Sequence, residues 1–171
     1  SDDIGYWYGQ VAGAKVGEEY RFVLVNGEQV ISRIDPYARH VTSSIGNAII
    51  TDPDAYDWKG DDFTAPTLNE MVIYEMHVGT FFDKDPDDDK PATLDTIEEK
   101  LDHLVHLGIN AIELMPLMEF AGDYSWGYNP AHIFAVESAY GGPEKLRDLV
   151  KVCHRHGLAV IIDVVYNHFG P

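Results

Sequence analysis

The sequence predicts an α/β protein preceded by a shorter all-β segment, and three observations carry that prediction. Strand-like runs of branched and aromatic residues fill the first part. From Met71 onward the pattern changes to strand, helix, strand, helix, strand. Each helical stretch is bounded by residues that start or stop helices. That order requires parallel strands joined by crossover helices, hence an α/β sheet.

Residues 6–41 read as β-structure. Tyr20-Arg21-Phe22-Val23-Leu24-Val25 favours a strand, Asn26-Gly27 supplies the φ > 0 pair of a type I′ turn, and Val30-Ile31 begins the return strand. Asp35-Pro36 ends the pattern, because proline removes a ladder donor. Residues 51–69, with Pro53, Gly60 and Pro66, have no sustained period and read as a linker between a module over 1–50 and a second unit over 70–171.

Met71-Val72-Ile73-Tyr74 is an apolar run suited to a strand buried on both faces. A helix is expected from Thr93, as N-cap, to Leu107, with Ile97, Leu101, Leu104 and Val105 on one side and Gly108 as the stop. The next strand is Ala111-Ile112-Glu113-Leu114-Met115. Pro143 opens a second helix whose apolar face is Leu146, Leu149, Val150 and Cys153, and Gly157 closes it. Ala159 through Val165 is the last strand, and Ile73, Ile112 and Ile162 are expected on inner faces. Three strands cannot close a barrel, so the pattern fits either a small open sheet or the start of a larger one.

With 45% hydrophobic residues, the chain has enough apolar material for a packed core. A formal net charge of −17 argues against nucleic acid or an anionic membrane surface as partner, because neutralising phosphates takes clustered Lys and Arg. No apolar run reaches the roughly 18 residues of a membrane-spanning helix. Cys153 stands alone, which rules out an intrachain disulfide and suits a small buried apolar residue.

In parallel α/β sheets, polar residues at the carboxyl ends of strands build the functional site. Three such ends are visible: Glu75-Met76-His77, Met115-Pro116 with the loop running to Gly142, and Asp163 through His168. The middle loop holds Tyr124, Trp126 and Tyr128 among Gly122, Gly127 and Asn129-Pro130. Such rings can cover the apolar faces of pyranoses, although on the residues alone they are better read as capping the end of the sheet. Asp163 closes a nearly all-apolar strand and needs a donor; His168 alone reads as an ordinary loop histidine.

Asp163-Val164-Val165-Tyr166-Asn167-His168 resembles the first signature region of the α-amylase superfamily, glycoside hydrolase family thirteen. Tyr74-Glu75-Met76-His77-Val78-Gly79-Thr80, Glu113-Leu114-Met115-Pro116 with Ser125-Trp126-Gly127-Tyr128, and Tyr140-Gly141-Gly142-Pro143-Glu144 are similar to its flanking motifs. Together, in order, they are specific. The resemblance is strong over residues 70–171. It implies the first three β/α units of a (β/α)8 TIM barrel, preceded over 1–50 by the last part of an immunoglobulin-like, glycan-binding-type sandwich. It implies a retaining enzyme acting on α-1,4-glucan or maltooligosaccharide, most like a 1,4-α-glucan branching enzyme. The alternatives are a trehalose-releasing or amylase-type hydrolase and, from another class, a non-catalytic glucan-binding module.

By the same resemblance Tyr128 and Trp126 contact sugar, His168 hydrogen-bonds the sugar being cleaved, Asp163 orients the site's arginine, and Asn167 sits where many amylases place a calcium ligand. Branching-type relatives often lack that metal, so no cofactor is assigned. The nucleophile and acid/base are expected on later strands, past Pro171, and a cytoplasmic location is expected from the family.

Asp83 through Asp89 alternates carboxylates as calcium loops do. Pro86 interrupts it, and Leu94 stands where the bidentate glutamate belongs, so a solvated loop is expected. His103, His106, His154 and His156 are expected at the surface.

Overall fold

The computed structural model describes residues 3–85 and 87–171. Pro86, within the acidic loop, lies outside the described residues.

The first segment is a pair of two-stranded sheets. β1 (Glu19–Tyr20) pairs antiparallel with β4 (Ala48–Ile49), while β2 (Phe22–Asn26) pairs with β3 (Gln29–Arg33). The hairpin is where the sequence puts it, but its turn is different. Asn26 pairs with Gln29, so the two central residues are Gly27 and Glu28, and only Gly27 has positive φ, at 61°. That sign pattern is a type II′ turn with glycine first, not a type I′ turn centred on Asn26-Gly27. Residues 6–18 form no strand, and every side chain of β2 is exposed.

What fixes residues 34–49 is the second unit. Ala38, Val41 and Ala48 close on Ala135, Tyr37 stacks on Phe134 with ring centroids 5.5 Å apart, and His132 Nε2 meets the Ser44 carbonyl at 2.9 Å. The stretch read as a linker is also held down, along the long helix of the second unit. Tyr56 donates to Asp148 at 2.8 Å, Lys151 donates to the Asp57 carbonyl at 2.6 Å, and Asp61 meets His154 Nδ1 at 2.8 Å. Phe63 stacks on His154, which is therefore half-buried and not the surface histidine expected from sequence.

The second unit runs β5 (Ile73–Met76), α1 (Val78–Phe81), α2 (Leu94–Glu98), α3 (Leu101–His106), β6 (Ala111–Leu114), β7 (Met118–Phe120), β8 (Pro130–Val136), α4 (Gly142–Arg155) and β9 (Ala159–Ile162). β5, β6 and β9 form one parallel sheet in that order. The single helix expected over 93–107 is two, because at the junction Lys100 N–H bonds the Ile97 carbonyl three residues back. Thr93 stands at the N-cap, but its side chain caps nothing. Gly108 and Gly157 take positive φ at the two helix ends, as their positions predict.

Residues along a strand alternate in facing. Met76, Ile112 and Leu114 join Leu94, Ile97, Leu101, Leu104, Leu149 and Cys153 in the core, so the helices cover that side of the sheet. Ile112 and Ile162 therefore face the helices, whereas Ile73 faces the opposite side with Glu75 and Glu113, which are register partners. The shared inner face expected for the three isoleucines is thus not found. Ile73 and Ile162 are half exposed, because they sit on the two edge strands. Cys153 is buried as expected, and burial pushes its thiol up to about 12.

Candidate functional site at the strand ends

The carboxyl ends of β5, β6 and β9 bring His77, Met115 and Asp163 into one row. Asp163 N–H bonds the Leu114 carbonyl at 2.9 Å and Met115 N–H bonds the Met76 carbonyl at 3.0 Å, which carries the ladder one residue past each strand. The loop after β6 then folds back over this row.

The sequence predicts one long loop from Pro116 to Gly142. It contains instead the bulged antiparallel pair β7–β8, whose irregular register hides the alternation a strand search needs. Glu119 and Glu137 lie here fully buried, at 1% and 0% exposure. Glu119 accepts from the Ser138 N–H at 2.7 Å, and Glu137 accepts from the Phe120 and Ala139 N–H groups at 3.1 and 3.0 Å. Burial, then the neighbouring Glu137 charge, pushes Glu119 up to about 7; burial also raises Glu137. Neither is among the residues expected at a site from sequence, although each is an isolated acid in an apolar run, the feature that singles out Asp163.

The tip of the loop carries the aromatic residues. Gly127 adopts φ +88°, and a Cβ there would lie 2.2 Å from the Pro116 carbonyl oxygen, so only glycine fits. Gly127 N–H bonds Ser125 Oγ at 3.0 Å, and Ser125 Oγ also meets Asn129. This tight turn directs Tyr128 to the end of β9, where its phenol donates to Asp163 Oδ2 at 2.7 Å. That bond leads the causes that hold the Tyr128 phenol up at about 12. Burial follows, then the charges of Asp163, Glu75 and Glu113, so all three carboxylates bear on one spot.

His168 Nε2 donates to the Tyr128 carbonyl at 2.6 Å, while its Nδ1 meets the Asn167 side chain. Gly170 N–H bonds the Pro130 carbonyl at 2.7 Å. The segment after β9 therefore lies along the aromatic loop, and Tyr128, Asp163, Asn167 and His168 form one connected group. Trp126 is 72% exposed beside it and free to meet a ligand. His77, which sequence reasoning left as part of a strand end, is bonded into the same loop through the Ser125 carbonyl at 2.8 Å. Among the described residues, no three His, Cys, Asp or Glu side chains are close enough to hold a metal ion.

The chain is 37% identical over 171 residues to malto-oligosyltrehalose trehalohydrolase of Saccharolobus solfataricus, covering 99% of this chain and 28% of that protein. It is 34% identical over 183 residues to a 1,4-alpha-glucan branching enzyme of Pseudoalteromonas atlantica, covering 98% and 24%. A solved structure from Salmonella typhimurium assigned as an alpha amylase superposes with a TM-score of 0.84 at 36% identity, over 94% of this chain and 26% of that one. The chain spans about a quarter of the length of the relatives it matches. The sequence model of the alpha amylase catalytic domain matches residues 76–171, more than half of the chain, and the chain belongs to the α-amylase family.

Proposed function

We propose that these residues form the first three β/α units of a (β/α)8 barrel in a retaining enzyme that acts on α-1,4-glucan or maltooligosaccharide. The observation that carries this reading is the connected group Tyr128, Asp163 and His168 at the carboxyl ends of parallel strands, where α/β enzymes build their sites. The names of the relatives point to the same substrates, malto-oligosyltrehalose and 1,4-alpha-glucan. Residues 1–50 are proposed as the last part of a sandwich module that docks on the barrel through Ala38, Val41 and Ala48.

In the proposed reaction a carboxylate attacks the anomeric carbon while a carboxylic acid protonates the leaving oxygen. The covalent glycosyl-enzyme is then resolved by water or by a second glucan. Asp163 is committed to Tyr128 and serves orientation, so the nucleophile and acid are assigned to strands that follow β9. Tyr128 and Trp126 offer ring faces to the pyranose. His168 donates to the reacting sugar once its Nε2 exchanges the Tyr128 carbonyl for a sugar hydroxyl.

Branching and hydrolysis share this machinery and differ in the acceptor. Incubating the full-length protein with amylose, maltooligosaccharides and malto-oligosyltrehalose, followed by iodine staining, reducing-end and trehalose assays, separates them. Branching shifts the iodine spectrum without new reducing ends, and trehalohydrolase activity releases trehalose from malto-oligosyltrehalose. A full-length protein inert on every α-glucan would overturn the reading.

A further inference from the structure

We propose that His77, at the end of β5, is the positioning residue that holds the aromatic loop in its sugar-binding shape. The proposal rests on the α-glucan reading of that loop. Three bonds fix the imidazole. Nε2 lies 2.8 Å from the Ser125 carbonyl and 3.0 Å from Tyr140 Oη, and Nδ1 lies 2.9 Å from Thr80 Oγ1.

A carbonyl oxygen only accepts, so Nε2 carries the proton. That proton is shared between the Ser125 carbonyl and Tyr140 Oη, and Nδ1 meets the Thr80 hydroxyl. Tyr140, buried at 1% exposure and edge-on to the imidazole at a centroid distance of 6.1 Å, fills the space behind the ring. Gly79 closes the other side, since a Cβ there would sit 3.1 Å from His77 Cε1. The ring is therefore held in one orientation, with its Nε2–H aimed at the backbone just before Trp126.

Ser125 is the pivot of the loop. Its carbonyl is held by His77, its hydroxyl receives the Gly127 N–H, and Tyr128 follows one residue later with its phenol on Asp163. β5 thus fixes the near side of the tip and β9 the far side. Losing the His77 bond leaves the tip, among the described residues, tied through Tyr124 on Asp89, through Tyr128 and through the segment after β9.

The test is hydrogen exchange of the full-length protein as wild type, His77→Ala, His77→Gln and Thr80→Val, with kinetics on maltooligosaccharide alongside. In His77→Ala, amides 125–128 are expected to exchange about tenfold faster, the scale of one lost hydrogen bond, while those of α4 stay unchanged. His77→Gln, which keeps an N–H near the Nε2 position, restores protection. Thr80→Val, at an exposed position, gives an intermediate effect and keeps the test alive if His77→Ala does not fold. The same order of variants is expected in kcat/KM. Loop exchange unchanged in the variants, or His77→Gln behaving like His77→Ala, would overturn the positioning role. A wild type that ignores every α-glucan would sink the substrate reading, while the exchange data still decide what His77 does.

Discussion

Tyr128 Oη donates to Asp163 Oδ2 at 2.7 Å, which ties the loop after the second parallel strand to the end of the third. Removing only the hydroxyl separates the two jobs of this residue. In the full-length protein, Tyr128→Phe keeps the ring and loses a bond to a charged acceptor, a cost of about 1.5–3 kcal/mol where burial is complete and less at this half-buried position. Tyr128→Ala loses the ring as well. Activity is expected to fall in the order wild type, Phe, Ala. Equal activity of Phe and wild type would show that the hydroxyl orients nothing.

His168 has both ring nitrogens engaged inside the protein, Nε2 with the Tyr128 carbonyl at 2.6 Å. Its proposed role is donation to the reacting sugar, which strengthens as charge develops at the anomeric carbon. His168→Ala is therefore expected to lower kcat far more than it raises KM, by about 2–4 kcal/mol of transition-state stabilisation. Unchanged turnover would leave His168 as a clasp between two loops and nothing more.

Gly127→Ala tests the loop from its backbone. A side chain there must adopt positive φ and displace the Pro116 carbonyl, which a Cβ would approach to 2.2 Å. The left-handed strain alone costs about 1 kcal/mol. The variant is expected to melt lower than wild type and to lose the change in Trp126 fluorescence on adding maltooligosaccharide. Wild-type values for both would mean that the turn relaxes without moving the rings.

The buried pair Glu119 and Glu137 sets a pH dependence. Burial and the Glu137 charge push Glu119 from 4.5 up to about 7, with Asp123 adding to the same side. Between those values the folded state keeps a proton that the unfolded chain gives up. Its contribution to stability is complete below about pH 4.5 and is lost as pH rises through 7. The melting temperature of wild type is expected to fall across that window, and Glu119→Gln is expected to flatten the slope. An identical slope in the variant would remove Glu119 as its cause.

The parallel order β5, β6, β9 was legible because local signals agreed with the tertiary packing. Gly108, Pro143 and Gly157 mark helix ends in the sequence and do so in the structure. Two features escaped. The β7–β8 pair has shifted register, so no period of two survives in the sequence. The strap over 51–63 is held by Tyr56, Asp57 and Asp61 on residues more than ninety positions away, which no local pattern encodes. At the site, Asp163 stands out by residue chemistry as an acid in need of a donor, Tyr128 by the family resemblance, and the two are in contact. His77 is visible in the sequence only as part of a strand end, because its partners, Ser125 and Tyr140, become neighbours only when the loop folds back.

Proton NMR of the full-length protein acting on amylose, maltooligosaccharide and malto-oligosyltrehalose decides whether this segment belongs to a retaining α-glucan enzyme. Retention predicts that every anomeric centre formed first has the α configuration, whether as an α-1,6 branch or as the α-reducing end of the glucan cut from its leaving group. A β-reducing end formed first, or an unaltered spectrum, would contradict it.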